Sequence, residues 1–458
     1  MFQKYLINWI MNPIAKVYGN MSERVRDGIF VAAITLLMLY NIFKVAVFSN
    51  VPYIYVFAFG NICFGVAILA MMRPNMQPVR FRWFPFIFWV AAAGIIMVTA
   101  ILYNVDWISD AFVMLVMCPI AFLVWQQVGF ERIMRLLSRA ALLSFGVYVL
   151  LSALLVPMRS QQYAGLFGNV NGAAQYLVVV FVCLLVETLH KHKNKWVDWA
   201  YYIIFGMCGA LVFCTNSRTG QLAALVAFIS ILGLYALRDW KVQGKRIAKQ
   251  AVCMILAIVV MFPCTIYMFH GLRRVGSLVY TPPSQGETET DIGEEEIGIG
   301  GFLEYNSTKN EIGTKNVDEI STGRVSIWKE YLTHSTWFGS GEKEEFFVAS
   351  RNADYSTAHM TWITYAFRHG YVCAVLFLIY CLLAGAIAIR FAYKRKGDLW
   401  ALLPLAISIV FGITSLLASI NTPFSYMLTM YYYFVQTFLI TKLVTKEPNE
   451  HEEIVSEN

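Results

Sequence analysis

The sequence predicts an all-α polytopic membrane protein with about 12 transmembrane helices and one large extracytoplasmic loop between spans 9 and 10. First, the 458 residues are 58% hydrophobic and only 14% charged, with a mean hydropathy of +0.57. Soluble domains carry charges at about a quarter of their positions. Second, apolar runs of about 20 residues recur, the length that crosses a hydrocarbon core about 30 Å thick. Third, basic residues gather in every second connection between these runs.

The predicted spans follow the apolar runs. In chain order they cover residues 28–48, 51–72, 83–103, 108–126, 140–157, 172–189, 198–215, 219–237, 250–269, 360–389, 399–418 and 424–442. We therefore expect an N-terminal segment 1–27 at the cytoplasmic interface, helices 1–9 in 28–269, an outer loop 270–358 and helices 10–12 in 359–442. The acidic residues 443–458 are expected to form a cytoplasmic tail.

The distribution of charge predicts the orientation of the chain. Of its 36 Lys and Arg residues, 24 lie in alternate connections, and such clusters stay on the cytoplasmic side. Both termini are therefore expected to be cytoplasmic. The basic positions are Lys4, Lys16, Arg24, Arg26, Arg73, Arg80, Arg82, Arg132, Arg135, Arg139, Lys191, Lys193, Lys195, Arg238, Lys241, Lys245, Arg246, Lys249, Arg390, Lys394, Arg395, Lys396, Lys442 and Lys446.

The predicted outer loop 270–358 reverses this charge balance, with 8 basic and 15 acidic residues. Its first half, 280–316, is rich in glycine and acidic residues and predicts a mobile, solvated segment. A calcium loop is the alternative there, although the ligand spacing of an EF-hand is absent. In the second half, Val325, Trp328 and Leu332 recur at helical spacing and predict a short helix over 322–335.

The tenth span is too long for a single crossing. From His359 to Ile389 one helix would extend about 46 Å, whereas the hydrocarbon core is about 30 Å thick. We expect this helix either to project outside or to break near Gly370, with His359 at the outer headgroups.

Three polar features fall on the predicted outer side. They are the turn at 165–172, the turn Asn216-Ser217-Arg218-Thr219-Gly220, and Arg324 with His359. Each feature by itself has a purely structural interpretation: a tight re-entry turn, a snorkelling arginine and an incidental histidine. Together they fit a diphosphate in the outer leaflet, because arginine binds phosphate oxygens bidentately and neutral histidine accepts a proton from a hydroxyl.

The ordered motifs resemble the O-antigen ligase and O-antigen polymerase family of bacterial glycan-assembly membrane proteins. The resemblance is carried by Gly168-Asn169-Val170-Asn171 with Ala173-Ala174, Ser217-Arg218-Thr219-Gly220, Gly323-Arg324 with Trp328, Phe338-Gly339-Ser340-Gly341, and Ala358-His359 before a helix containing Gly370. The chain departs from the family at Val170, where proline is frequent, and at Met360, where asparagine or serine is usual. The family's many spans and late outer loop cover nearly the whole sequence.

The resemblance implies an enzyme that transfers a glycan from undecaprenyl diphosphate to an acceptor hydroxyl, outside the bacterial cytoplasmic membrane. It implies that Arg218 and Arg324 bind the diphosphate and that His359 activates the acceptor, so these three are the predicted catalytic residues. Predicted substrate contacts come from Gly168, Asn169, Asn171, Trp328 and Arg368. The reaction would invert the anomeric configuration and would use no cofactor or metal.

Two other function classes stay open on the sequence. A transporter or flippase of lipid-linked glycan would fit the number of spans, although internal repeats and deep charges are not evident. A membrane scaffold would fit the topology but not the polar residues on one side. The expected partners are the lipid-linked glycan, a glycan or cell-surface acceptor and the bilayer, with no nucleic acid. Polymerase and ligase activities are not separable by sequence, because they differ only in the acceptor.

Overall fold

The computed structural model describes residues 2–17, 21–46, 53–104, 107–158, 162–277, 324–339, 346–348, 353–355, 358–420, 424 and 426–443. In chain order its α-helices are α1 (Phe2–Tyr5), α2 (Asn12–Val17), α3 (Glu23–Ala46), α4 (Tyr53–Met71), α5 (Trp83–Leu102), α6 (Ile108–Phe112), α7 (Cys118–Val128), α8 (Phe130–Leu155), α9 (Val170–Leu189), α10 (Lys195–Cys214), α11 (Arg218–Ser277), α12 (Arg324–His334), α13 (Thr361–Lys394), α14 (Leu402–Leu417) and α15 (Met427–Ile440).

Short elements join or flank these helices. π-helical turns at Leu6–Met11 and Val113–Met117 connect α1 to α2 and α6 to α7, and 3-10 turns occupy Gly165–Phe167 and Leu399–Ala401. Strand β1 (Val79–Phe81) pairs antiparallel with β4 (Thr441–Leu443), and β2 (Phe346–Val348) pairs antiparallel with β3 (Ala353–Tyr355). The sequence did not predict these strands.

Among the described residues, 10 helices are long and apolar enough to cross a membrane. Two shorter apolar helices, Phe57–Met71 and Met427–Ile440, lie within the two remaining predicted spans. The all-α polytopic fold class is confirmed, while the number of spans stays a prediction.

Helix α11 supplies two of these spans. A straight helix of its 60 residues would be about 90 Å long, about three times the thickness of the hydrocarbon core. The contacts of its two halves show that the chain reverses instead. The spans are Arg218–Asp239 and Gln243–Gly276. Arg246 donates to the carbonyl of Leu189 at one end of α9 (2.9 Å), whereas Arg273 donates to the carbonyl of Leu154 at the far end of α8 (3.0 Å). The chain therefore crosses, turns near residues 240–242 and crosses back.

Contacts explain why two helices end away from the predicted span boundaries. Helix α8 begins at Phe130, ten residues before the predicted start at 140. Its basic first turns are helical because Arg132 pairs with Asp27 of α3 (2.7 Å) and Arg135 pairs with Glu131 one turn away. The last helix ends at Ile440 rather than 442, because the backbone of residues 441–443 pairs with β1.

Helices α9 and α15 form the centre of the bundle. Every residue of α9 from Ala173 to Leu189 is buried, and so is every residue of α15. The second half of α11 is peripheral, since Val252, Ile255 and Val259 are exposed. Neighbouring helices thus surround α9 and α15 and hold their ends in place.

The connections predicted to be cytoplasmic meet at one end of the bundle. Arg73 and Arg132 both pair with Glu23, and Arg238 donates to the carbonyls of Ala392 and Arg395. The predicted outer turns meet at the opposite end, where Ser217 bonds Asn171 and Arg324 bonds Leu417. This segregation fits the positive-inside rule, and the assignment of that end to the cytoplasm stays a prediction.

Helix α12 lies inside the predicted range 322–335. Helix α13 breaks at Gly370, whose φ of 89° and ψ of 161° are not helical, so the expected break is the alternative that the structure adopts. The predicted mobile segment 280–316, the motif residues Gly323, Ser340 and Gly341, and residues 444–458 lie outside the described residues.

Candidate functional site

The turn before α9 is built by its own asparagine. The side-chain oxygen of Asn169 accepts from the backbone N–H groups of Asn171 (2.8 Å) and Gly172 (3.4 Å), which caps the helix N-terminus. Gly168 before it has a φ of 62°, a conformation that favours glycine. The cap uses the Asn169 oxygen, so a ligand bond from this exposed side chain would come from its NH2 group.

The turn carrying Arg218 is joined to the Asn169 turn by a side-chain bond. Ser217 Oγ lies 3.0 Å from Asn171 Oδ1 and donates to it. The same hydroxyl accepts from the backbone of Gly220 (3.4 Å) and so caps α11. Arg218 is the first residue of α11 and half-buried. The serine thus fixes both the helix that carries Arg218 and its distance from α9.

The small residues of these motifs allow the two helices to touch. A Cβ at Gly220 would lie 2.6 Å from the Cβ of Ala174 on α9, closer than real Cβ contacts come. The Gly220 position therefore needs glycine for packing, and Ala174 is its partner. In these positions the motif builds the support of Arg218 rather than a ligand contact.

Arg324 opens α12 and reaches across to the end of α14. Its Nη1 donates to the carbonyl oxygen of Leu417 at 2.6 Å. This carbonyl is among the last of α14, which have no partner within their own helix. The guanidinium carries five N–H donors in a fixed plane, so this bond orients it while other donors face elsewhere.

His359 is placed by the start of α13. Its φ of 51° lies in the left-handed region, which non-glycine residues rarely adopt. Two residues on, Thr361 Oγ1 donates to the carbonyl of Ala418 (2.9 Å) and accepts from the N–H of Ile420 (3.0 Å). Residues 417–420, at the end of α14 and just beyond it, thus anchor both Arg324 and the turn that carries His359.

The same anchor borders the Asn171–Ser217 turn pair. Asn171, Ser217, Thr219, Thr414 and Ala418 pack together with residues of α9 and leave no room for a water molecule between them. Three separate parts of the chain therefore meet here, and we call the region around Arg218, Arg324, His359 and Asn171 the outer cleft.

Electrostatic interactions link Arg218, Arg324 and His359. Burial, followed by the positive charge of Arg218, lowers the pKa of Arg324. Burial, followed by the charge of Arg324, lowers the pKa of His359 below its ordinary 6.5. His359 is consequently neutral at pH 7, while an arginine stays charged. The cleft holds a proton acceptor beside clustered positive charge.

A backbone crossing holds α12 against the break of α13. Tyr371 and Val372 donate their N–H groups to the carbonyls of Thr336 (3.0 Å) and Trp337 (3.3 Å). A Cβ at Gly370 would lie 2.3 Å from the Trp337 carbonyl oxygen, and one at Gly339 would lie 2.6 Å from the Arg368 carbonyl oxygen. Only glycine fits at this crossing, which fixes the helix bearing Arg324 relative to the helix after His359.

Two predicted substrate contacts occupy other places. Trp328 packs against the interface of α12 and α13 with Ile327, Tyr331 and Phe367, and its buried Nε1 has no hydrogen-bond partner among the described residues. Arg368 lies over the ring of Trp107 at 5.8 Å. The structure thus groups Arg218, Arg324, His359 and Asn171, with Gly168 and Asn169 in the adjoining turn, and substrate contact by Trp328 and Arg368 stays a prediction.

Several positioning residues were not predicted. Thr361, Ser419 and the Leu417 carbonyl act through hydrogen bonds inside apolar spans, with Thr364 Oγ1 2.8 Å from Ser419 Oγ. His369 is buried one residue before the helix break, its Nδ1 2.6 Å from the hydroxyl of Thr99 on α5. A threonine two residues after His359 is the only signal in the sequence, and threonine is common in any span.

No three His, Cys, Asp or Glu side chains cluster as a possible metal site in the part of the chain that the structure describes. Independence of metal and cofactor stays a prediction.

Comparison with known proteins adds one finding. Residues 203–378 match the family model described as O-antigen ligase, and no curated protein matches the chain. The matched range contains Arg218, Arg324 and His359, whereas the turn at 168–171 precedes it. Over this range the family resemblance is confirmed.

Proposed function

We propose, from the premise that residues 203–378 are an O-antigen ligase domain in a multi-pass membrane protein, that the chain transfers a glycan from undecaprenyl diphosphate to an acceptor hydroxyl. The transfer takes place at the outer face of the bacterial cytoplasmic membrane. The product is a polymerised or ligated surface glycan.

One observation carries this proposal. Arg218 lies 106 residues before Arg324, and His359 lies 35 residues after it, yet the charge of Arg218 acts on Arg324 and the charge of Arg324 acts on His359. Clustered arginines repel unless an anion lies between them, and a diphosphate offers oxygens in the geometry that guanidinium groups bind. The neutral histidine beside them is the proton acceptor that a hydroxyl nucleophile needs.

The proposed step is a single displacement at the anomeric carbon. The acceptor oxygen forms the new bond to that carbon while the bond from the carbon to the diphosphate oxygen breaks. The electron pair of the breaking bond leaves with the lipid diphosphate, whose added charge Arg218 and Arg324 stabilise. The hydroxyl proton passes to His359. Attack opposite the leaving group inverts the anomeric configuration.

The Leu417 carbonyl gives Arg324 its role in this step. An arginine already oriented by a backbone bond of 2.6 Å loses little side-chain entropy when it binds phosphate. Such preorganised charge accelerates a reaction more than the same charge on a mobile side chain. The left-handed backbone at His359 is costly by itself, and strain of this kind is typically held in place at active sites.

The test uses membranes that contain the full chain and a labelled lipid-linked glycan. Arg324→Ala and His359→Ala are expected to abolish product while protein abundance is unchanged. Arg273→Ala is the matched control, because Arg273 also donates to a backbone carbonyl at the predicted outer end, that of Leu154. The control is expected to keep near-normal product.

Near-normal product from both site variants would reject the proposal. Accumulation of unchanged lipid-linked glycan in vesicles, without a new glycosidic bond, would identify a transporter instead. Mass spectrometry of the product separates the two enzymatic outcomes, because a polymerase joins repeats on one lipid and a ligase moves the glycan to another molecule.

A further inference from the structure

A second charged cleft lies at the opposite, predicted cytoplasmic end of the bundle. It has a volume of about 970 Å³ and opens between the β1–β4 ribbon, the start of α5 and the end of α13. We call it the inner cleft. Its basic lining residues are Arg80, Arg82, Arg390, Lys394, Arg395 and Lys442, and none of the described residues that line it is acidic.

The ribbon places two of these cations face to face. Arg80 on β1 is directly opposite Lys442 on β4, and side chains at directly opposed positions project from the same face of a ribbon. Like charges in this arrangement destabilise the pairing of strands. An anion bound between Arg80 and Lys442 would relieve this repulsion.

A second like-charge pair faces the same cavity. Arg82 precedes α5 and is half-buried, and its pKa is lowered by burial and then by the positive charge of Arg390. One cation of the cleft does have an acidic neighbour, since Arg395 Nη1 lies 3.3 Å from Asp398 Oδ2. The other five basic lining residues outnumber this single carboxylate.

The mouth of the cleft continues into an apolar surface. Trp83 lines the cleft and is 68% exposed, and Phe84 and Ile87 follow it on α5 at 65% and 55% exposure. Charge beside an exposed apolar strip of a membrane helix matches a molecule with an anionic head and hydrocarbon chains. A small soluble anion has no hydrocarbon chain to pack against this strip.

We propose that the inner cleft binds the phosphate headgroup of an anionic phospholipid, with its acyl chains lying along α5. Basic pockets between membrane helices on the cytoplasmic side are suited to such headgroups. Topology signals alone explain why the charges lie at this end. They do not explain a ribbon that brings residues 80 and 442 into contact around one cavity.

Native mass spectrometry of the full chain tests this proposal. The protein is released from nanodiscs that contain phosphatidylcholine and phosphatidylglycerol in equal amounts, and retained lipids are identified. Wild type is expected to retain phosphatidylglycerol, and Arg82→Gln with Arg390→Gln is expected to weaken that binding roughly tenfold or more, at about 1 kcal/mol per cation near an anionic lipid. Arg82→Lys with Arg390→Lys is expected to retain most of it.

Lys191→Gln with Lys193→Gln is the matched control, because both lysines are exposed at the same end and outside the cleft. It removes equal charge and is expected to leave lipid retention unchanged. Melting in phosphatidylcholine alone checks folding: the Arg82→Gln and Arg390→Gln protein is expected to be at least as stable as wild type, since a repulsion is removed.

Equal loss in the control pair, or equal retention of both lipids by wild type, overturns the proposal. Displacement of phosphatidylglycerol by millimolar inorganic phosphate would assign the cleft to a free anion. If phosphatidylglycerol binds only after Glu447, Glu450, Glu452, Glu453 and Glu457 are changed to Gln, the acidic end of this chain is the occupant, and the lipid proposal is wrong.

Discussion

The outer and inner clefts both gather positive charge from distant parts of the chain, but they hold it differently. In the outer cleft Arg324 is half-buried and bonded to the Leu417 carbonyl. In the inner cleft Arg80, Arg390 and Lys442 are exposed around a wide cavity. Oriented charge suits a transition state, whose geometry is fixed. Mobile charge suits a lipid headgroup, for which attraction is enough.

Gly370→Ala is expected to have the largest effect on this contrast. The new Cβ would lie 2.3 Å from the Trp337 carbonyl oxygen at a φ of 89°, so α12 has to move away from α13. A displacement of about 1 Å at reacting groups can cost 10²-fold in rate, and we expect a loss of product above that value. Retention of phosphatidylglycerol in the inner cleft is expected to be unchanged.

Gly385→Ala is the control for this change, since Gly385 lies on the same helix and an added Cβ would meet no atom of the described residues within 4 Å. It is expected to keep full activity. If Gly370→Ala is as active as Gly385→Ala, the crossing does not position Arg324, and the outer cleft is no more rigid than the inner one.

Arg324→Lys tests orientation with charge held constant. A lysine is a point charge and lacks the planar pair of donors that binds phosphate bidentately. It cannot serve the Leu417 carbonyl and a diphosphate in the same way, so we expect product formation to fall about 10²-fold, the range for one lost transition-state donor. The measurement is single-turnover transfer from labelled lipid-linked glycan.

The same exchange in the inner cleft, Arg82→Lys, is expected to change lipid retention less than about twofold, because charge near the surface is what an anionic lipid senses. Equal sensitivity of the two clefts to Arg→Lys would remove the distinction between oriented and mobile charge.

The sequence predicted the parts of the outer cleft that are carried by residue type. Arg218, Arg324, His359 and Asn171 were visible because they lie in polar segments between apolar spans, and alternate basic connections placed these segments on one side. Gly370 was visible because 31 residues are too many for one crossing.

What the sequence missed rests on backbone groups and on register. Every residue has a carbonyl, so nothing marks that of Leu417 as the partner of Arg324. The ribbon of β1 and β4 joins residues more than three hundred apart through three pairs, too few to leave an alternating pattern. The packing of Trp328 between α12 and α13 was not visible either, because helical spacing looks the same for a packing face and a binding face; its substrate contact stays a prediction.

Thr361→Val is expected to have a smaller effect than either change above. The hydroxyl bonds both Ala418 and Ile420, and a lost buried partner costs about 1–3 kcal/mol. We expect roughly a tenfold loss of product, because the anchor loosens while Arg324 keeps its own bond. Thr333→Val is the control, an exposed hydroxyl on α12 bonded to Lys329, and a comparable loss there would mean that Thr361 is no special anchor.

The pH dependence gives the smallest and most specific effect. His359 has to be neutral to accept a proton, and burial with the charge of Arg324 holds its pKa below 6.5 in the free protein. The rate at low substrate, kcat/KM, is therefore expected to be flat above pH 6.5 and to fall about tenfold per pH unit below the depressed pKa. A bound diphosphate offsets the charge of Arg324 and favours the protonated ring, so the fall in kcat is expected to begin at a higher pH than the fall in kcat/KM.

His359→Gln is expected to remove this inflection from whatever activity remains. An inflection that persists in His359→Gln, or one lying above pH 6.5 in kcat/KM, would assign the proton transfer to another group and leave the outer cleft as a binding site only, like the inner one.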